Sequence, residues 1–154
     1  MKEQLLDAWN TNHRMNMLVI DNATDAGMQK TLSSRGGRNI YQQLIHIHNV
    51  RMNWLQISAK DIFIKYTTID KDAAFDRKVL IKALNDSSAG IGELLGRGWD
   101  DNGKIKGFKK GVLVMLGYFI SHESHHRGNI LLTLKQSGEK IPDPVKWGLW
   151  EWGN

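Results

Sequence analysis

Apolar residues recur every three or four positions in four long stretches of the chain, and no stretch shows a comparably strong two-residue alternation. This period predicts helices at residues 2–20, 40–58, 76–95 and 112–137. The positions expected in the core lie on one face of the first three helices: Leu5, Leu6, Trp9, Met17, Ile20, Ile40, Leu44, Ile47, Trp54, Leu55, Val79, Leu80, Ala83, Leu84, Ile91 and Leu94. Four helices of this length predict an all-α protein, an antiparallel four-helix bundle in which residues 1–154 form one domain.

Residues that favour helix ends support these bounds. Asn39 is expected to cap the second helix, with Gln42 in the capping-box position. Gly138 is expected to end the fourth helix. Five glycines in residues 96–111 predict an irregular connection between the third and fourth helices.

Two further segments lie outside the predicted helices. Residues 59–75 form a long crossover between the second and third helices, and its apolar side chains are expected to pack on the bundle: Ile62, Phe63, Ile64 and Tyr66. The Trp-rich C-terminal tail holds both prolines, and regular helix is not expected at Pro142–Pro144. Its aromatic residues are expected to pack on the bundle, to rim an active cleft, or to be buried against a second subunit: Trp147, Trp150 and Trp152.

The composition excludes several classes of function. The net charge of +5 comes from scattered Lys and Arg, without a basic run interleaved with aromatics, so direct nucleic acid binding is not expected. The chain has no cysteine, which excludes disulfides, thiolate metal ligands and a cysteine nucleophile. The apolar stretch at residues 112–120 is too short to span a bilayer, and no signal peptide is recognisable. A cytoplasmic protein is therefore expected.

Three of the six histidines lie within five positions of the fourth helix. His122 and His126 are four residues apart, so on a helix they lie one turn apart on the same face and form half of a divalent-metal site. A third ligand from another helix would be His13, His46 or His48. His46 and His48 are separated by about 200° around a helix and cannot both face one metal ion. Periodicity alone does not decide between them.

The same segment also matches a peptidase motif. His122-Glu123-Ser124-His125-His126 reads H-E-x-x-H, in which two histidines bind zinc and the glutamate is the general base. A peptidase of this type needs a third ligand further along the chain. Only Glu139 and Glu151 are available there, beyond the glycine that ends the helix. This alternative is therefore less favoured than a metal site inside a bundle.

Two motifs, QLIHIHNVRMNWL and HESHHRGNILLTLKQSG, resemble the DinB/YfiT-like superfamily of metal-binding four-helix bundles. The matching residues are His46, Trp54, Leu55, His122, His125, His126, Arg127, Gly128 and Gly138. Two residues depart from the family pattern. Asn129 replaces the usual Gln, and Arg51 stands where the family usually has an acidic residue.

The resemblance implies that His46, His122 and His126 bind a divalent metal ion, and three nitrogen donors suit zinc, nickel or iron(II). It also implies chemistry of the thiol-dependent S-transferase type, with a low-molecular-weight thiol cosubstrate, a small-molecule substrate and a homodimer. Candidates for proton transfer are His125, Glu123 and Asn49. The alternatives are a hydrolase that uses metal hydroxide on a small substrate, and a non-catalytic stress-associated protein in which the metal joins two helices.

Overall fold

The structure, a computed structural model, describes residues 1–152; residues 153 and 154 of the predicted domain lie outside this range. Its helices are α1 (Lys2–Asn22), α2 (Asp25–Met28), α3 (Ile40–Ser58), α4 (Lys60–Phe63), α5 (Arg77–Asp100), α6 (Val112–Gln136) and α7 (Asp143–Gly148). No residue from 1 to 152 belongs to a strand, apart from an isolated bridge between Ile105 and Phe108. The prediction of an all-α helical fold is confirmed.

The four long helices surround a core that is divided into two apolar clusters. Helices α1 and α3 each pack against both α5 and α6. The antiparallel order of the helices stays a prediction. One cluster contains Trp9 of α1 with Phe119 of α6, and the other contains Ile20 with Ile130. Over residues 1–152, no helix has the length and apolar character needed to cross a membrane.

Side-chain caps explain where two of the long helices begin. Asn39 accepts a hydrogen bond from the Gln42 amide, and the Gln42 side chain accepts one from the Asn39 amide, as the sequence predicts. Asp76 caps α5 by accepting from the Val79 amide, so α5 begins at Arg77. Gly138, with φ of +77°, follows α6 in the left-handed conformation that favours glycine.

The predicted end of the third long helix is wrong. Helix α5 continues past Leu95 to Asp100, through Gly96 and Gly98. A Cβ atom at Gly98 would collide with the side chain of Ile105 from the following loop. Gly98 permits close packing of the loop on the helix, and this packing outweighs its low helix propensity.

Most of the predicted core positions are buried or half-buried, but Val79 and Ile64 are exceptions. Val79 is 49% exposed because it lies beside, and not within, the apolar stripe of α5. In the crossover, Ile62 of α4 is fully buried, whereas Ile64, just after that short helix, is 77% exposed. The prediction from this short run of apolar residues therefore included one residue, Ile64, that does not pack on the bundle.

The C-terminal tail also differs from prediction. Helix α7 includes Pro144 in its first turn, where the missing amide hydrogen costs no helical hydrogen bond. Val145 is buried against the bundle, but the aromatic residues of the tail are exposed: Trp147, Trp150 and Trp152. Packing on the bundle is thus contradicted for Trp147 and Trp150, whereas Trp152 lines a groove with Ala8 and Met15 of α1. A position of the tryptophans at the rim of an active cleft stays a prediction. Burial against a second subunit stays a prediction.

A layer of buried polar side chains lies between the two apolar clusters, centred on Glu123 of α6. Its carboxylate accepts hydrogen bonds from Arg51 Nε at 2.7 Å and Arg51 Nη2 at 2.8 Å. Asn12 and Asn16 of α1 donate to the same carboxylate at 2.6 and 2.7 Å. Both charged side chains are almost completely buried. Burial alone would raise the pKa of Glu123, but the charge and hydrogen bonds of Arg51, with those of the asparagines, hold it below its usual value.

Arg127 extends this network. Its Nη1 donates to Asn16 Oδ1 at 2.6 Å and to Asn12 Oδ1 at 3.0 Å, so each asparagine joins the arginine to the carboxylate. The Arg51 guanidinium also stacks 4.8 Å from the ring of Trp9. These directional bonds tie α1, α3 and α6 together and constrain the rotation of each helix about its axis.

We expect Glu123→Ala to lower the free energy of unfolding by about 3–5 kcal/mol, because Arg51 would become a buried cation without its carboxylate partner. Urea denaturation at neutral pH measures this loss. Glu93→Ala is the matched control, since Glu93 forms ion pairs on the exposed side of α5 and should cost at most about 1 kcal/mol. Equal, small losses in both variants would contradict the role given to the buried pair.

His48 of α3 anchors the crossover. Its side chain is fully buried, and its Nε2 bonds to the Thr67 carbonyl at 2.9 Å. Burial lowers the pKa of His48; the bond to Thr67 raises it in part, and the charge of Arg51 lowers it further. The folded protein therefore keeps this imidazole neutral to a lower pH than the unfolded chain does.

We expect acid to destabilise the metal-free protein partly through His48. Below the unfolded-state pKa of about 6.5, the unfolded chain binds a proton that the buried imidazole resists, so stability falls with decreasing pH. In His48→Gln the free energy of unfolding should fall less steeply with decreasing pH. The difference is up to about 1.4 kcal/mol per pH unit, and it ends at the lowered pKa that His48 has in the folded protein. Urea unfolding between pH 8 and pH 5 with a chelator present checks this. Parallel curves for the two proteins would be the contrary result.

Candidate metal centre

Three histidines converge between α3 and α6. One ring nitrogen from each of His46, His122 and His126 lies within 4.8 Å of the other two. The Nε2 atoms of His46 and His122 are 3.2 Å apart. The ring centroids of the three imidazoles are 4.8–5.2 Å apart. Over residues 1–152, this is the one cluster of three or more potential metal-ligating side chains found.

The helix period and one glutamine explain the orientation of these imidazole rings. His122 and His126 lie one turn apart on α6, and both face α3. Gln43 of α3 lies one turn before His46, and its Oε1 is 3.3 Å from Nδ1 of His126. With Nδ1 as the donor, the Nε2 lone pair of His126 remains available to a metal ion. Gln43 therefore positions the ring without being a ligand.

The surroundings keep the three imidazoles neutral. Burial is the largest cause that lowers the pKa of each ring. Repulsion from the other histidines and from Arg38 also contributes, and together these effects lower the pKa of His126 to about 4. Neutral imidazole is the form that binds metals. The set of donors therefore fits a divalent cation.

The cluster is accessible from one side. His126 is buried, whereas His46 and His122 are half-buried. His46 lines a cleft of about 670 Å³ together with the loop at residues 36–38, Asn49 and Lys71. A closed structural metal site would lack such an opening. The arrangement is that of a site to which a small molecule has access.

The other histidines do not join the cluster. His48 points to the opposite side of α3, toward the Thr67 carbonyl, whereas His46 lies with His122 and His126. That His46 is the third metal ligand stays a prediction. His13 bonds to Asn85 at 2.8 Å, in the groove between α1 and α5. His125 is exposed on α6, where its Nε2 lies 3.2 Å from Asn129.

Two of the three candidates for proton transfer are occupied by structural contacts. The Glu123 carboxylate is bound by Arg51 and α1, away from the histidine cluster. Asn49 donates to the Ile69 carbonyl at 2.7 Å and accepts from the Ile69 amide at 3.1 Å, so it holds the crossover in place. His125 alone keeps an exposed ring near the cluster, 5.4 Å from the ring of His126.

This geometry also argues against the peptidase interpretation of H-E-x-x-H. A general base needs a carboxylate that faces the metal and can accept a proton. Glu123 faces the polar layer, and its lowered pKa disfavours protonation. The third ring nitrogen of the histidine cluster comes from His46, earlier in the chain. It does not come from the segment after α6, where this peptidase motif needs its third ligand.

Two residues at the site were not singled out from the sequence. Gln43 shares a helix face with His46, so its position beside the clustered histidines was recoverable from the helix period. Arg38 lies in a glycine-containing loop, and nothing in the sequence distinguishes it from the other arginines. Its position near the imidazoles depends on the path of that loop.

The model of the DinB family matches residues 1–145. This segment contains all four long helices and the three clustered histidines. No curated protein and no solved structure matches the chain. Because the match covers nearly the whole sequence, the chain belongs to the DinB family.

Proposed function

We propose that His46, His122 and His126 bind a divalent metal ion, and that the protein is a metal-dependent enzyme of the thiol S-transferase type. The observation that supports this most is the convergence of three neutral imidazoles from two helices beside an open cleft. Three protein ligands leave further coordination positions for water or substrate, which is typical of catalytic sites. An all-nitrogen set suits zinc, nickel or iron(II).

The composition favours a cosubstrate that carries the sulfur. A divalent metal in this site would supply Lewis acidity that lowers the pKa of a thiol or of water near neutral pH. Since the chain has no cysteine, a thiol for S-transfer has to come from a small molecule. The cleft at His46 offers room for one.

The chain's own residues have three roles in this proposal. Gln43 orients His126, and the polar layer around Glu123 sets the rotation of α6. His125 is the remaining candidate for proton transfer, because its ring is exposed and close to His126. A homodimer and a cytoplasmic location stay predictions; the exposed Trp147 and Trp150 are consistent with a subunit interface.

We expect His46→Gln to lower metal affinity by at least about 100-fold, since a lost ligand should cost more than the 10–100-fold typical of an outer hydrogen-bond partner. His48→Gln is the matched control: it lies on the same helix but outside the cluster, and should keep its metal. Elemental analysis after dialysis against zinc or nickel measures the difference, with circular dichroism to confirm folding. Metal retained by His46→Gln and lost by His48→Gln would reverse the ligand assignment.

We expect small thiols to bind directly at the metal of the cobalt(II)-substituted protein. Titration with 2-mercaptoethanol should produce a sulfur-to-cobalt charge-transfer band in the near ultraviolet, and His122→Gln should not show it. A cobalt site whose spectrum changes with pH but not with thiol would instead favour a hydrolase. If neither thiol nor pH changes the spectrum, and chelation unfolds the protein, a structural metal that joins α3 to α6 is favoured.

A further inference from the structure

The cleft beside the candidate metal centre carries an excess of positive charge. Its charged side chains, apart from the neutral His46, are Arg38, Lys71 and Asp72. Two cations and one anion leave a net charge of +1. The cleft therefore favours an anionic ligand.

One of the two cations is already paired. Lys71 Nζ lies 3.2 Å from an Asp72 carboxylate oxygen. Over residues 1–152, the guanidinium of Arg38 has neither a carboxylate partner within 4.0 Å nor a hydrogen-bond acceptor; its backbone carbonyl alone is bonded, to Thr31. The uncompensated charge of the cleft is thus the charge of Arg38.

The amide side chains of the cleft are engaged in structural bonds. Asn49 uses both its amide atoms on the backbone of Ile69. Gln42 accepts from the Asn39 amide and donates to the Lys71 carbonyl. A ligand in the cleft would therefore find its strongest available hydrogen-bond donor in Arg38.

The positive charge of Arg38 also acts on the three clustered histidines. Its charge contributes to the lowered pKa of His46, His122 and His126. His46 and Arg38 line the same cleft. A small molecule with one end at the imidazoles can thus place its other end near the guanidinium.

We propose that Arg38 binds a carboxylate of the small molecule whose reactive end lies at His46, His122 and His126. The guanidinium forms two parallel hydrogen bonds with a carboxylate. A divalent ion at the histidines would add to the net charge of +1, so the cleft favours an anionic ligand in the metal-loaded protein as well. This assignment of substrate class rests on the function proposed above and extends it to an acidic thiol or acidic acceptor.

The test compares thiols that differ only in their far end. Cobalt-loaded protein is titrated at low ionic strength with 3-mercaptopropionate and 6-mercaptohexanoate, and with the corresponding thiol alcohols. We expect at least one acid to bind about three- to tenfold more tightly than its alcohol, a modest effect because Arg38 is exposed to solvent. Arg38→Gln should abolish this preference, so that each acid and its alcohol bind with equal affinity.

Arg35→Gln is the matched control. Arg35 lies in the same exposed loop but does not line the cleft, and its loss changes the net charge of the protein by the same amount. The preference should persist in Arg35→Gln and in part in Arg38→Lys. Thiols that bind without any preference for the acids, or a preference that survives Arg38→Gln, would overturn the assignment while the thiol chemistry stands.

A second titration separates this inference from the proposed function. If no thiol changes the cobalt spectrum, the thiol proposal fails, and hexanoate is then titrated into the metal-free protein with detection by NMR. A shift of the Gly37 amide signal that disappears in Arg38→Gln, together with a shift of the Arg38 Nε–H signal in the unsubstituted protein, would support the anion site by itself. The absence of shifts, or equal shifts in both proteins, would overturn it.

Discussion

The ion pair between Glu123 and Arg51 is the interaction on which the arrangement of the site depends. Two buried charges are costly unless their hydrogen bonds are satisfied, and here Asn12 and Asn16 occupy the remaining positions around the carboxylate. Because those asparagines lie on α1 and Arg51 lies on α3, the carboxylate sets the rotation of α6 relative to both helices. A purely apolar contact would fix that rotation less strictly, since it has no preferred direction.

The consequence for the histidines follows from the helix period. His122 immediately precedes Glu123, and His126 immediately precedes Arg127, so each pair of neighbours is separated by about 100° around the helix. With Glu123 and Arg127 turned into the polar layer, His122 and His126 face α3 and meet His46. The buried charges of the polar layer and the clustered imidazoles therefore come from adjacent positions without competing for the same space.

Arg51, where the resemblance led us to expect an acidic residue, has a physical explanation in this structure. The arginine is the partner of Glu123, and it also lies over the ring of Trp9 and donates to the Leu84 carbonyl. An acidic residue at this position would face the Glu123 carboxylate at close range. The arginine at position 51 thus depends on the glutamate of the H-E-x-x-H segment, whose carboxylate it binds.

The sequence by itself determined the four long helices and the pairing of His122 with His126, because both depend on the local period of the helix. The cap at Asn39 was equally local. Only the tertiary structure decided which of His46 and His48 meets that pair, what Glu123 contacts, and where Arg38 lies. The extension of α5 through Gly98, and the exposure of the tail tryptophans, depended in the same way on packing between distant segments. Periodicity defines the faces of one helix, but the rotation of a helix against its neighbours, and the path of a loop, follow from contacts that local sequence does not contain.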